Sequence, residues 1–328
     1  QEVADEVIRQ ADRLVDAEPE DTDPGDGSYQ WPIRRIDSHL EYLTMAWVLT
    51  KEARYRDAAM RHLANLLNFP HISCKADRHT PHDEKMWWCL SYGQVGFRVG
   101  MMYDLFRADM TAAETKVFFD LLDRWLMPEA LDAVDNPPWW AGKPWSNWNG
   151  VCAGGMGVMA LALYDDHPDA GKLLPLVEKS VGAFVDGFRE SGGGFTEGVS
   201  YWTFGMEFAM RYLLSWENAT GMKHPAFKVE QLGKSLNWAL DFHSLSFGDG
   251  GNWGPTCFFF KVADRMNLRK TILQGAMYFE ARDRIGWPQK QCAVKERHYV
   301  EILYAADVIP TAEEVAREKD RRAQSKVP

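Results

Sequence analysis

Cysteine is scarce in this 328-residue chain, and its positions form no motif. None of the five cysteines belongs to a CxxC or Cys/His spacing of the kind that binds a metal. An odd number of scattered cysteines fits free thiols better than a disulfide framework. The sequence therefore implies no cofactor, and it leaves a structural calcium or zinc ion open.

Long apolar runs and an excess of positive charge are also missing. No run of about eighteen apolar residues exists, so we expect no membrane-spanning segment and no membrane partner. The chain has 37 basic and 47 acidic residues, a formal net charge of −10. This balance argues against a nucleic-acid partner, because phosphate binding depends on clustered Lys and Arg. An acidic sugar could still bind in a locally basic cleft.

Convincing strand patterns are nearly absent, whereas apolar residues at helical spacing occur along most of the chain. About eleven helices in sequential pairs predict an all-α fold, and a pair spacing of forty to fifty residues suggests a solenoid or a closed toroid. No residue-level repeat appears, which favours the toroid. We predict an incomplete (α/α) toroid over 1–310, with one strand-like run at His298–Val308. A charged tail or linker is expected over 311–328, and one alternative is that it leads to a further domain.

Several helix starts and one inner helix are predicted from local signals. Ser38 with Glu41, and Thr111 with Glu114, have the spacing of capping boxes. The helix predicted over Gly150–Tyr164 contains four glycines, which cost helix propensity. Close approach to neighbouring helices is the expected compensation, so this helix should lie inside the fold.

Tryptophan is abundant, with fourteen residues. Core packing explains most tryptophans in most proteins. Four of these, however, flank the predicted start of the Gly150 helix, in the segment NPPWWAGKPWSNW, and flat apolar sugar faces pack on indoles. They are therefore candidates for substrate binding, namely Trp139, Trp140, Trp145 and Trp148.

Two glycine- and amide-rich segments bring polar groups to predicted helix starts. The segment GGGFTEGVSYW cannot continue a helix through its glycines, so it predicts a sharp loop after Glu190 and places Tyr201 at the start of the next helix. The segment SNWNG places Asn147 and Asn149 at another helix start. Amides, indoles and a phenol at helix ends are the groups that a sugar-binding cleft needs.

The segments NWNGVCAGGMGVMALAL, GGGFTEGVSYWTFG and FGDGG, in that order, resemble the α/α domain of the heparinase II/III-like superfamily of polysaccharide lyases. Members of this superfamily cleave uronic-acid polysaccharides. The similarity extends from about Ser38 to about Ala281, and its most specific part is the EGxxYW segment.

The resemblance implies a catalytic role for Tyr201, as the base and often also the acid of β-elimination. It implies that Asn147, or alternatively Asn149, neutralises the substrate carboxylate. A tyrosine acts as a base only when nearby positive charge lowers its pKa from about 10. The residues that could supply that charge are Arg34, Arg35, Arg78 and His82. One of Arg34 and Arg35 is also expected to pair structurally with a carboxylate.

Glu197 and Asp249 each have a structural and a functional interpretation. Glu197 is expected either to hold its loop by accepting backbone N–H bonds or to act as an acid. Asp249 is interpreted first as a turn residue and second as a substrate contact. Trp202 and Asn252 complete the set of substrate-binding candidates.

The sequence departs from the superfamily pattern in two places. Many members have a histidine where this chain has Trp148, and they generally add a β-sandwich domain that contributes another catalytic histidine. Nothing after Ala281 is long enough for that sandwich. We therefore expect either a fragment, which we favour, or a single-domain variant with its histidine elsewhere, at His79, His82 or His243.

Two other classes of function remain open beside the lyase that acts on an acidic polysaccharide. A glycoside hydrolase on a similar toroid would need two carboxylates across a cleft, and Glu197 with Asp249 is the pair available. A non-catalytic acidic-glycan-binding module would fit the missing histidine. A periplasmic or secreted location is expected, and the first residue, Gln1, is consistent with a removed signal peptide or with a trimmed chain.

Overall fold

The structure is a computed structural model that describes residues 2–22, 30–73, 88–243, 245, 250, 254–284 and 307–325. Within these ranges the regular structure is entirely helical, and no β-strand occurs. The α-helices, in chain order, are α1 (Glu2–Leu14), α2 (Gln30–Thr50), α3 (Ala53–Asn65), α4 (Leu90–Phe106), α5 (Ala112–Leu121), α6 (Met127–Asp135), α7 (Trp148–Ala162), α8 (Ala170–Glu190), α9 (Gly198–Thr220), α10 (Glu230–Phe242), α11 (Phe258–Arg265), α12 (Arg269–Arg284) and α13 (Ala312–Ser325). The all-α prediction is thus confirmed for the described residues.

The chain divides into two compact units. The first contains Gln1–Phe184 and Phe204–His224, and the second contains Val185–Thr203 and Pro225–Pro328. In the described residues, no helix combines the length and the apolar character needed to cross a bilayer.

Helix α7 lies at the centre of the first unit, and its residues from Asn149 to Ala160 are all buried. A Cβ added at Gly93 of α4 would lie 2.7 Å from the Val151 carbonyl oxygen of α7, and one at Gly100 would lie 2.6 Å from Met159 Cα. Because the contact positions advance in the same direction on both helices, α4 and α7 run parallel.

A second face of α7 meets α9 in the same way. A Cβ at Gly150 would overlap the backbone of Gly205, and one at Gly154 would overlap the backbone of Phe208. Helix α7 therefore also runs parallel to the part of α9 that belongs to the first unit. The prediction that the glycines of this helix compensate by close helix packing is confirmed.

The predicted helix starts had different outcomes. Thr111 and Glu114 form a complete capping box at the start of α5, as predicted. The capping box predicted at Ser38 is wrong, because α2 already begins at Gln30 and Ser38 lies in its interior. Glu41, its supposed partner, instead binds Arg98 of α4. A Ser/Glu pair at this spacing is compatible with a helix interior as well as with a helix start. Only the tertiary contact of Glu41 with Arg98 distinguishes these two positions.

The second unit contains the C-terminal helices. Helix α11 packs against α12 through the ring contact of Phe260 with Phe279, whose centroids are 5.3 Å apart. The segment predicted as a charged tail or linker forms α13, which contacts α12 through ion pairs of Arg269 with Glu314 and of Lys319 with Glu280. The strand-like run at 298–308 lies outside the described residues, except for Asp307 and Val308, which are in a turn.

Candidate functional site

Three tryptophans form an aromatic cluster at the start of α7: Trp139 and Trp145 lie on the loop before the helix, and Trp148 is its first residue. The rings of Trp139 and Trp145 are stacked, with centroids 5.9 Å apart and an interplanar angle of 26°. Trp148 packs on Trp139 at 5.2 Å. Trp139 is 41% exposed and Trp145 is 48% exposed. The three residues, called the indole cluster below, therefore present apolar faces to solvent in the first unit.

Trp140 has the opposite environment and anchors the same loop. Its side chain is fully buried, and its indole N–H donates to the Trp88 carbonyl oxygen at 3.0 Å. Trp88 in turn donates to the Cys152 carbonyl oxygen of α7 at 2.9 Å. Trp140 therefore offers no face to a sugar in this structure, and its assignment to substrate binding is corrected. Two adjacent tryptophans have opposite roles here because the turn directs one side chain inward and the other outward.

Asn149 clamps the turn between Trp140 and Ser146. Its amide oxygen accepts the backbone N–H of Gly142 at 2.9 Å. Its amide nitrogen donates to the carbonyl oxygens of Lys143 and Ser146. Because both amide atoms are committed to the loop backbone, Asn149 acts as a positioning residue for the loop.

Asn147 is the residue that precedes the first turn of α7. Its backbone is already helical, and its side chain does not cap the helix. The side-chain Cβ lies 3.3 Å from the position that a Cβ at Gly205 would take, so Asn147 packs against α9 within the first unit. The residue is 2% exposed. A substrate group can reach this amide only after the groups that cover it are displaced.

Tyr201 lies in the first turn of α9, in the second unit, as its sequence position predicted. Helix α8 ends at Glu190, and a glycine loop follows in which Gly192 and Gly193 have φ values of 69° and 112°. This left-handed backbone strongly favours glycine, which explains the glycines at those two positions. Tyr201 is half-buried, as is Glu197 in the preceding turn.

Trp202, the neighbour of Tyr201, is fully buried and packs against Phe258 of α11 with centroids 5.8 Å apart. Its assignment to substrate binding is therefore corrected, because its ring belongs to the core of the second unit. Consecutive residues on a helix point about 100° apart, so one residue can face the core while the next does not.

Arg34 and Arg35 lie on α2, between the buried residues Ile33 and Ile36, and each has a structural partner. Arg35 binds Glu20, with the Arg35 Nε atom 2.9 Å from a carboxylate oxygen, and the side-chain hydrogen bond to Glu20 raises the pKa of Arg35. The prediction that one of the pair binds a carboxylate is confirmed. The Arg34 guanidinium lies 5.2 Å from the centre of the Trp31 ring. The remaining sequence candidates, Arg78, His82, Asp249 and Asn252, lie outside the described residues, as does His79.

Sequence analysis missed the buried ion pairs of the first unit. Arg98 of α4 is buried and binds Asp37 at 2.8 Å and Glu41 at 2.6 Å. Burial lowers the pKa of Arg98, but the two carboxylates outweigh this effect and raise it overall. Glu207 and Arg211 form a second buried pair on α9 at 2.6 Å. The available signal was an isolated arginine inside the apolar run of α4, since a buried charge requires a partner.

No group of three or more His, Cys, Asp or Glu residues within the described ranges is arranged to hold a metal ion.

Neither the scan against models of known protein families nor the search of curated proteins finds a match for this chain.

Proposed function

We propose that this chain is a polysaccharide lyase that cleaves uronic-acid-containing glycans by β-elimination and works in the periplasm or outside the cell. The observation that carries the proposal is the exposed indole cluster in front of α7, because indoles are the side chains on which flat sugar faces stack. The proposed architecture is an incomplete (α/α) toroid. It is supported by the parallel packing of α7 with α4 and α9, since the inner helices of a toroid run in one direction with return helices between them.

The reaction needs a base, an acid and a group that stabilises negative charge. Tyr201 as phenolate removes the proton on the carbon beside the substrate carboxylate, and the resulting charge spreads onto that carboxylate. The bond to the leaving glycosidic oxygen breaks as the carbon–carbon double bond forms, and the Tyr201 hydroxyl returns its proton to that oxygen.

Stabilisation of the developing charge is assigned to Asn147. A hydrogen bond from an amide N–H to the carboxylate stabilises the transition state more than the ground state, because negative charge accumulates on the carboxylate during the reaction. We assign this role to Asn147 rather than Asn149, since the amide of Asn149 is committed to the loop. Because Asn147 is buried, we propose that substrate binding displaces the groups that cover its side chain.

A panel of acidic polysaccharides tests the proposal: alginate, glucuronan, heparan sulfate, chondroitin sulfate and hyaluronan. Elimination leaves a conjugated double bond, so a lyase produces a rise in ultraviolet absorbance with at least one of them. New reducing ends without that absorbance would indicate a glycoside hydrolase and would contradict the lyase proposal. A panel with neither signal would also count against it.

A non-catalytic acidic-glycan-binding module is the second candidate. It is favoured by the near-complete burial of Asn147 and by Trp148 at a position where many lyases of the resembling superfamily have a histidine. Retardation of the protein in a gel that contains one of the five polysaccharides, without absorbance or reducing ends, is the outcome that this candidate predicts.

A further inference from the structure

We propose that Lys143 and Lys179 form an anion-recognising subsite beside the indole cluster and bind carboxylate or sulfate groups of a glycan that stacks on Trp139 and Trp145. This inference rests on the proposed function only in treating the indole cluster as a glycan-binding surface. It does not depend on catalysis.

Lys143 belongs to the same clamped loop as the indole cluster. Its backbone N–H donates to the Trp140 carbonyl oxygen at 3.0 Å, and its own carbonyl oxygen accepts from Asn149. The side chain is exposed, two residues before Trp145. The backbone that carries this ammonium group is therefore held from both sides, while the side chain is left to solvent.

Lys179 reaches the same turn from α8. Its Cε atom lies 3.4 Å from the position that a Cβ would take at Gly142, and Gly142 has a φ of 72°. The N–H of Gly142 is bound by Asn149. The stem of Lys179 thus lies against the turn that presents Lys143, and both lysines belong to the first unit.

Both ammonium groups are left without a compensating carboxylate in the described part of the chain. Lys172, on the same helix as Lys179, is paired with Asp169 at 2.5 Å, whereas neither Lys143 nor Lys179 forms an ion pair with a described residue. Glu178, the neighbour of Lys179, is bound instead to Tyr212 and His224. Uncompensated lysines beside exposed indoles stand out in a chain whose net charge is −10.

An acidic glycan fits this surface better than a nucleic acid, although both combine flat faces with negative charge. A nucleic acid carries a charge on every nucleotide and is bound through many basic groups. Here two lysines lie on a protein with a net negative charge, which repels a dense polyanion. A short stretch of a uronic-acid glycan, by contrast, places an apolar ring face on the indoles and one or two carboxylates against the two lysines.

The test compares affinities by gel electrophoresis in the presence of polysaccharide. The ligand is whichever of the five acidic polysaccharides retards the wild-type protein most. It is compared with its carboxyl-reduced form, with its desulfated form where it carries sulfate, and with oligo(dT). The variants are Lys143→Gln, Lys179→Gln, their combination and Trp145→Ala. Lys172→Gln is the matched control, because it removes an exposed lysine of α8 that already has a partner.

Each subsite lysine should contribute about two- to fivefold to affinity for the acidic polysaccharide, the range of an exposed ion pair, and the effect should shrink at high salt. Lys172→Gln should leave affinity unchanged. Trp145→Ala should weaken binding of the acidic and the neutralised forms alike, whereas the lysine variants should affect only the acidic form. Loss of the lysine effect in the carboxyl-reduced ligand identifies the carboxylate as the recognised group, and loss in the desulfated ligand identifies the sulfate.

Two outcomes would overturn the subsite. One is an affinity for the acidic polysaccharide that is unchanged in the double lysine variant, and the other is retardation by oligo(dT) as strong as by the glycan. Failure of the lyase proposal is separate, because it appears as absent ultraviolet absorbance while the lysine effects on binding persist.

Discussion

Tyr201 and Trp202 are neighbours on α9, yet only Tyr201 keeps part of its side chain outside the core. We expect Tyr201→Phe to lower lyase turnover at least a hundredfold, because general acid–base groups contribute about that much or more. Polysaccharide binding and the unfolding midpoint should change little, since only a hydroxyl is removed. The measurement is the initial rate of ultraviolet absorbance on the best substrate of the panel.

Tyr164→Phe is the matched control for this change, because Tyr164 is an exposed tyrosine outside the proposed machinery. It should retain the wild-type rate. A Tyr201→Phe variant with a near-normal rate would mean that another group is the base.

A buried histidine makes the stability of the first unit depend on pH. His62 of α3 is fully buried, and its ring meets that of His39 at a centroid distance of 5.1 Å. Burial, together with the charge of His39 and of Arg61, lowers the pKa of His62 to about 4, against smaller opposing effects of the Leu14 backbone and of Glu20. The folded form therefore resists protonation of this ring.

The unfolded chain takes up that proton near pH 6.5, so stability is lost as pH falls from about 6.5 towards 4 and is fully present above 6.5. The loss attributable to His62 is at most about 3 kcal/mol. Urea unfolding of wild type and His62→Gln at pH 7.5 and pH 4.5 measures it. The free energy of unfolding should fall less between the two pH values in the variant than in the wild type. The difference between the two proteins at pH 7.5 reports the change in packing alone. Equal losses in both proteins would exclude His62 as the source.

At the scale of secondary-structure elements, the glycines of α7 set the distance between helices. A Cβ on Gly155 would overlap the carbonyl group of Gly93 on α4. We expect Gly155→Ala to destabilise the protein by about 3 kcal/mol, because two backbones must move apart. Urea unfolding at neutral pH measures the effect.

Gly182 of α8 is the matched control, because it lies in a helix interior and an added Cβ would have no packing neighbour within 4 Å beyond the adjacent helix backbone. Gly182→Ala should stabilise the protein by about 0.5 to 1 kcal/mol through helix propensity. If both substitutions shifted stability in the same direction, close packing would not be the reason for glycine at position 155.

The capping-box spacing predicted a helix start correctly only where the chain before it forms a loop. Thr111 and Glu114 follow Met110, whose backbone is extended, so their side chains bind the free N–H groups of the first turn. Ser38 and Glu41 have an equally good spacing inside a continuous helix. The difference is decided by Arg98 on another helix, which binds Glu41 and is far away in sequence.

At the scale of the whole chain, the charged C-terminal segment is part of the folded second unit. Thr311 and Glu314 bind each other's backbone at the start of α13, and hydrogen bonding to the Thr311 backbone lowers the pKa of Glu314. Val315 is buried, whereas Ala316 beside it is exposed. We expect Val315→Asp to destabilise the second unit by about 3 kcal/mol, because it buries an unpaired charge.

Ala316→Asp is the matched control and should have little effect, since it adds the same charge at an exposed position. Hydrogen exchange of α12 and α13 measures both variants. A flexible linker would tolerate the two substitutions equally, and that result would contradict the docking of α13.

The sequence by itself determined the all-α class, the helix end at Glu190 and the buried glycine helix α7. These follow from interactions within a few residues, such as helical periodicity, glycine backbone freedom and capping, and such interactions are readable along the chain. The position of Tyr201 in a first helical turn follows from the same local rules.

Only the tertiary structure decided which candidates are exposed and which are committed to the core. Trp139 and Trp140 are indistinguishable by composition, but Trp140 is held inside by Trp88, which lies 52 residues before it. The sequence makes Asn149 a candidate ligand, but in the structure its amide binds the backbone of Gly142 and Lys143. The direction in which a single side chain points and the partner that it binds depend on contacts between residues distant in sequence, and a pattern within one loop does not specify them.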